Sequence, residues 1–156
     1  MTKLAQVGDA APDFSLPRDG GGVLSLADFK GRKLALYFYP KDDTSGCTLE
    51  AQDFKRLAGD FAAADAAIVG ASPDSVKQHD KFRDKYELTF PLLADETKQV
   101  LEAYGVWVEK SMYGRKYMGV ERSTFLIGPD GRIARVWRKV KVPGHAEEVL
   151  AAAKSL

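Results

Sequence analysis

The sequence predicts an α/β protein whose central mixed sheet is covered by helices on both faces, and three observations carry that expectation. Two continuous apolar runs of strand length, residues 34–39 and 66–72, lack the polar alternation of a half-solvated sheet and suit strands buried on both faces. Each run is followed by apolar residues at helical spacing, the alternation that builds a largely parallel sheet. Later in the chain, residues 124–127 and 133–137 flank the turn Gly128-Pro-Asp-Gly131, a hairpin signal, and a helical stretch closes the sequence.

In chain order, Asp13-Phe-Ser-Leu-Pro17 and Val23-Leu-Ser-Leu26 predict short strands around the triple glycine at 20–22, and Ser25-Leu-Ala-Asp opens a single helical turn before Gly31. Pro40 ends the strand at 34–39, because proline cannot donate to a sheet ladder. Cys47, Ala51, Phe54, Ala58 and Phe61 then recur at helical spacing, with Thr44 or Ser45 as N-cap and an end near Gly59. The strand at 66–72 is broken by Pro73. A helix over 75–86 is marked by Val76, Phe82 and Tyr86, with His79 expected on its surface or in a cap. Residues 90–94 read as a short strand, and Val100, Leu101 and Tyr104 as a helix stopped by Gly105. Residues 109–118 show no clear periodicity and are expected to be a loop. The final helix, 145–156, turns Val149, Leu150 and Ala153 inward. No repeat, low-complexity segment or linker interrupts the chain, so residues 1–156 read as one domain.

At 156 residues such a domain buries roughly 70% of its unfolded surface without disulfides or metals. Lys plus Arg is 23 against 22 Asp plus Glu, a net charge of +1 that gives no bulk electrostatic case for nucleic acid or an anionic membrane. The basic cluster Arg135, Arg138, Lys139 and Lys141 alternates with Val136, Trp137, Val140 and Val142 and reads as the solvated face of a strand end. One cysteine rules out an internal disulfide, and His79 and His145 are far apart in sequence, so neither a metal nor any other cofactor is expected. The opening residues carry no apolar leader, and no run approaches a membrane span, so the cytoplasm is the expected compartment.

The stretch 40–54 holds the only cysteine. Cys47 falls in the first turn of its helix, where unpaired N–H groups and the positive end of the helix dipole favour an anion. A free thiol of pKa ~8.5 falls to ~3.5–7.5 in such places, making a standing nucleophile. Two readings stand side by side: a reactive thiolate, or a buried, inert thiol that begins the apolar stripe. The polar, glycine-containing approach 42–46 favours partial exposure and the reactive reading.

The string Tyr37-Phe-Tyr-Pro-Lys-Asp-Asp-Thr-Ser-Gly-Cys-Thr-Leu-Glu-Ala contains the Pro-x-x-x-Thr-x-x-Cys pattern and resembles the Q subfamily of peroxiredoxins, also called bacterioferritin comigratory proteins. Ala11-Pro-Asp-Phe-Ser-Leu-Pro, Val69-Gly-Ala-Ser-Pro-Asp-Ser and Arg122-Ser-Thr-Phe-Leu-Ile-Gly-Pro-Asp-Gly agree with it, so the resemblance spans nearly the whole chain. It implies a thioredoxin-like fold and thiol-dependent reduction of hydrogen peroxide and organic hydroperoxides. By matching position, Cys47 is the peroxidatic nucleophile, Thr44 the hydroxyl that orients peroxide, Arg122 the cation beside the thiolate, and Pro40 the residue that shields the pocket; backbone N–H groups near Gly46 complete it. Without the resemblance, Arg122 reads as a surface arginine and Thr44 as a helix cap. Glu50 pairs with Arg122 or is an exposed helix glutamate; both stay open.

The sequence also departs from the family. Two-cysteine members carry a resolving thiol either five residues after the peroxidatic one, where Gln52 stands, or in the following helix, about where Arg83 stands; Ser45 replaces a usual proline. The resemblance therefore implies a single-cysteine cycle recycled by an external thiol of thioredoxin, glutaredoxin or glutathione type, in a monomer or weak homodimer. Competing readings are a non-enzymatic binding or chaperone-like module, a two-cysteine enzyme with its resolving cysteine removed, and a disulfide oxidoreductase, which would need the second thiol this chain lacks.

Overall fold

The computed structural model describes residues 5–156; residues 1–4, part of the opening read above as lacking an apolar leader, lie outside the described residues. Strands β1 (Ser15–Pro17) and β2 (Val23–Ser25) pair antiparallel and lead through a 3-10 turn, Leu26–Phe29, into β3 (Lys33–Phe38). Helices α1 (Ser45–Arg56) and α2 (Ala58–Ala63), strand β4 (Ala66–Ser72), helix α3 (Val76–Tyr86), strand β5 (Leu92–Ala94) and helix α4 (Gln99–Ala103) follow. Strands β6 (Trp107–Met112), β7 (Arg115–Val120), β8 (Ser123–Ile127) and β9 (Ile133–Trp137) precede the last helix, α5 (His145–Ser155).

The main sheet has the order β5-β4-β3-β8-β9, parallel through β3, β4 and β5 and antiparallel through β8 and β9. Thus β3 is the central strand its unbroken apolar run predicts. Its side chains alternate between two cores. Leu34, Leu36 and Phe38 join Val69, Leu93, Tyr104 and Phe125 on one face. Ala35, Tyr37 and Tyr39 join Cys47, Phe54, Phe61 and Phe82 on the other. On that second face Tyr37 stacks on Phe54 at 4.6 Å between centroids and on Tyr39 at 5.4 Å. Tyr37 lies opposite Gly70 in the β3–β4 register, and a Cβ at Gly70 would stand 2.9 Å from the ring. A side chain on β4 there would push the aromatic layer into α1.

Three expectations are corrected. The helix expected from Cys47 to Gly59 is two helices, because Leu57 (φ −96°, ψ 3°) leaves the helical region between Arg56 and Ala58. Residues 109–118 are a hairpin, not a loop: β6 and β7 pair antiparallel through the turn Tyr113-Gly114, both at positive φ (52° and 78°). Two consecutive left-handed residues match the right-handed twist of the flanking strands. Both faces of that two-stranded ribbon stay largely solvated, which erased the alternation a sequence reader looks for. Finally, the basic cluster does not lie wholly on a solvated face. Arg138 turns inward, donating to the carbonyls of Ala5 (2.8 Å) and Tyr104 (3.4 Å), with its guanidinium 5.3 Å from the Phe125 ring centroid. A long apolar stem lets arginine do this where lysine would stay outside.

Candidate active site

The site forms where β3 ends. Pairing of Phe38 with Ser123 brings the residue before β8, Arg122, beside the chain leaving β3 at Tyr39 and Pro40. The chain then turns through residues 40–44, and Thr44 caps α1 by position, with extended φ and ψ of −89° and 157°. Its hydroxyl makes no cap bond; it donates to the Lys41 carbonyl at 2.9 Å and ties the turn. Cys47 sits in the first turn of α1, whose opening N–H groups have no partner within the helix.

Arg122 joins the parts. One Nη donates to Glu50 Oε1 at 2.6 Å and the other to Cys47 Sγ at 3.3 Å. Burial opposes the arginine charge, but Glu50 and Cys47 outweigh it and raise the Arg122 pKa above its ordinary value. The Glu50 carboxyl is pushed up to about 7, burial outweighing the pull of Arg122, and its Oε2 is buried without a partner. Gly46 explains itself here: a Cβ at that position would lie 3.3 Å from Arg122 Nη2. A side chain there would crowd the guanidinium where it reaches the sulfur.

Of the residues singled out from sequence, Cys47, Gly46 and Arg122 are therefore brought into contact range, while Pro40 follows the end of β3 and Thr44 precedes α1, its hydroxyl bonded within the turn. The expected partial exposure of Cys47 is corrected: the residue is 1% exposed, covered within the aromatic face that holds Tyr37, Phe54 and Tyr39. The first turn of α1 faces the core side of the sheet rather than solvent. His79 is corrected too. It is fully buried rather than on the helix surface, with Nδ1 2.6 Å from Asp42 Oδ2 and Nε2 2.8 Å from the Leu93 carbonyl. The signal was present in the spacing, since His79 falls three residues from both Val76 and Phe82 and so shares their apolar face. Glu50, three residues after Cys47, carried the same signal of an acid on an apolar stripe. His145 is buried as well; Thr124 Oγ1 lies 2.8 Å from its Nε2, and burial pushes its pKa down to about 4.

Asp42, Asp74 and His79 place ligand-type atoms within 4.8 Å of one another. Both imidazole nitrogens are already committed to an oxygen acceptor, an arrangement that suits a proton better than a metal. The two expected positions of a second thiol hold Gln52, exposed on α1, and Arg83, which pairs with Asp19, Asp80 and Asp84.

Fold and site together define a thiol-based redox protein: one cysteine at a helix start, held by an arginine, at the carboxyl end of the central strand of a thioredoxin-like sheet. Residues 7–136 match the AhpC/TSA family. The bcp protein of Coxiella burnetii is 52% identical over 145 residues, covering 93% of this chain and 96% of that one. Peroxiredoxin Bcp of Bacillus subtilis is 48% identical over 151 residues, 97% of this chain and 96% of its own. A solved structure of the Xanthomonas campestris bacterioferritin comigratory protein, described for its alkyl peroxide reduction activity, superposes with a TM-score of 0.90 at 46% identity over 97% of this chain and 96% of that one. The chain belongs to the AhpC/TSA family, in its peroxiredoxin Q or Bcp branch, and is a thiol-dependent peroxidase whose one cysteine fits a single-cysteine cycle. That sets aside the reading as a non-enzymatic binding module. Among the described residues no helix is long and apolar enough to cross a membrane.

Proposed function

We propose that Cys47 is the nucleophile of this peroxidase, with Arg122, Thr44 and the first-turn N–H groups around Gly46 as the groups that hold the peroxide, in one domain spanning residues 1–156. The observation that carries the reading is the 3.3 Å contact between Arg122 and Sγ at the start of α1. The cation and the helix start both direct positive charge at the sulfur. The thiolate attacks the nearer peroxide oxygen, the O–O bond breaks, and the departing oxygen takes a proton and leaves as water or alcohol. Cys47 becomes a sulfenic acid. Charge grows on the departing oxygen, and each preorganised donor aimed at it contributes about 2.7–4 kcal/mol. Thr44 Oγ1 already donates to Lys41, so its lone pairs are what it offers a hydroperoxide proton.

Recycling uses an external thiol of thioredoxin, glutaredoxin or glutathione type. Its sulfur displaces the sulfenic oxygen as water to give a mixed disulfide, and a second thiol releases Cys47. With the sulfur 1% exposed, the first turn of α1 must open before a protein thiol reaches it. A cleft of about 570 Å³ beside Arg122, bordered by Val108, Lys110, Tyr117 and Lys139, offers room for an organic hydroperoxide's tail. Hydrogen peroxide and organic hydroperoxides are the proposed substrates, the cytoplasm the proposed compartment, and a monomer or weak homodimer the proposed state. Arg83 supports a natural single-cysteine protein rather than a stripped two-cysteine one, because it is fitted among three carboxylates of its own.

Intact-mass spectrometry tests the cycle. One equivalent of peroxide gives a monomer with one added oxygen, a second exposure without thiol gives the sulfinic acid, and added thiol gives a mixed disulfide. Unchanged peroxide consumption in Cys47→Ser, or a covalent Cys47–Cys47 dimer as the main product, would overturn it.

A further inference from the structure

The turn that delivers Thr44, Gly46 and Cys47 is fastened to α3 by two consecutive aspartates, and the inner one is buried. Asp42 Oδ1 accepts from the Tyr39 hydroxyl at 2.5 Å, its Oδ2 lies 2.6 Å from His79 Nδ1, and its backbone N–H donates to Asp74 Oδ2 at 2.8 Å. Asp74 is held in turn by the Ser72 hydroxyl at 2.6 Å. Asp43 adopts a left-handed φ of 60°, a conformation that needs outside support in a residue other than glycine. Its two carboxylate oxygens accept from Tyr86 Oη at 2.7 Å and Lys85 Nζ at 2.8 Å, both on α3.

The proton count of the inner pair follows from geometry. The Leu93 carbonyl can only accept, so His79 Nε2 carries a hydrogen. Asp42 Oδ1 already accepts from Tyr39, so the contact between Oδ2 and Nδ1 needs one further proton, which belongs to the pair. Its loss would leave two acceptors facing each other in a dry interior.

We infer that Asp42 and His79 are positioning residues for peroxide reduction at Cys47, their buried pair fixing the turn 40–46 against α3 so that Thr44 and the first N–H groups of α1 are set around the sulfur. This rests on Cys47 being the nucleophile. Neither residue touches Sγ; they act through the backbone between Asp42 and Cys47. The charged or titratable groups facing His79 are Asp42, Asp74 and Tyr39, from the turn, the end of β4 and the end of β3, and Asp42 and Asp74 both favour the imidazolium. Burial alone would lower the His79 pKa, but the Asp42 contact reverses the sign and raises it. The pair is therefore complete below the ordinary imidazole pKa of about 6.5 and fails as pH rises through the raised value. Peroxide reactivity should fall there while the bulk of the fold persists.

The test is the second-order rate of Cys47 oxidation by hydrogen peroxide from about pH 5 to about pH 10, for wild type, His79→Gln, Asp42→Asn and the double variant, with Cys47→Ser alongside and circular dichroism at each pH. The wild-type rate should show a descending alkaline limb with the circular dichroism unchanged. Each single variant should be about tenfold slower at neutral pH, the scale of a sub-ångström misplacement of reacting groups, and should lack the limb. The double variant should be no slower than the worse single one, because the two changes break one pair. Folded variants within about twofold of wild type that keep the alkaline limb, or single effects that multiply in the double, would overturn the proposal. If a single variant does not fold, a wild-type profile flat to about pH 10 would overturn it and a descending limb that the double variant lacks would support it. Peroxide consumption by Cys47→Ser would instead overturn the assignment of the nucleophile.

Discussion

Two buried ion pairs flank Cys47, and they do different work. Arg122–Glu50 links the start of β8 to α1, and because guanidinium has two forked donors, one is left over for the sulfur. Asp42–His79 links the turn after β3 to α3, and every donor and acceptor in it is committed to scaffold: Tyr39, the Leu93 carbonyl and the pair itself. Burying charge is costly, and a buried pair is by itself weak grounds for stability. What separates the two is whether a polar atom remains for the reacting group. On the proposed reading, Arg122–Glu50 acts on the chemistry and Asp42–His79 on the geometry in which the chemistry happens.

The largest break of that comparison is Arg122→Ala. It should slow peroxide attack by about 10²-fold or more while the protein still unfolds cooperatively in urea, since it removes a cation and a forked donor together. Stopped-flow rates within a few-fold of wild type would return Arg122 to a scaffold role like that of His79. Glu50→Gln comes next. It keeps the shape and, at about pH 8 where the Glu50 carboxyl is ionised, removes the charge that aims the guanidinium, so the rate there should fall by about tenfold, with a loss of folding free energy of up to about 3 kcal/mol in urea titrations. An unchanged rate would mean that Arg122 needs no aiming.

Gly46→Ala sharpens the distinction with a smaller effect. Alanine favours the helix by roughly 0.5–1 kcal/mol over glycine, yet its Cβ would crowd Arg122 Nη2 at 3.3 Å. Stability should hold or rise while peroxide attack slows several-fold. A loss in both would show that the crowding disturbs the fold rather than the arginine.

The smallest effects are in the pH dependence of stability, where the two buried histidines diverge. His145, among Phe54 and Trp137 with Thr124 beside it, is held neutral at a pKa of about 4, below its unfolded value of about 6.5. Its contribution is present above that unfolded value and is lost as pH falls toward the folded one. His79, raised by Asp42, contributes fully below its unfolded pKa and loses that contribution as pH rises through its folded value. Urea midpoints across the range should therefore lose their acid limb in His145→Gln and their alkaline limb in His79→Gln. If both variants flattened the same limb, the assignment of opposite charge states would be wrong.

The site was legible in proportion to how local its signals are. Cys47 at a helix start follows from Pro40, the polar turn and the apolar stripe through Phe54, all within one stretch of chain. Strand β3 as the centre of the sheet follows from a run with no polar residue in it. Arg122 lies 75 residues from Cys47, and only the matching motif pointed to it. Its contact depends on the antiparallel pairing of β3 with β8, a long-range register that local periodicity does not encode.

By itself, then, the chain's order of apolar runs and breakers determined the α/β class, most of the strands and helices, and the place of its one thiol, because those depend on neighbours within a few turns. The tertiary structure decided what surrounds that thiol. Cys47 is covered rather than half exposed because α1 packs its first turn into the aromatic face of the sheet, and His79 is a buried partner rather than a surface residue because Asp42 arrives opposite it. Residues 109–118 form a hairpin because two left-handed residues set their turn, although neither face carries the buried stripe that would have announced a strand. Burial and charge pairing across distant segments are properties of the assembled fold, and they set the environment in which Cys47 reacts.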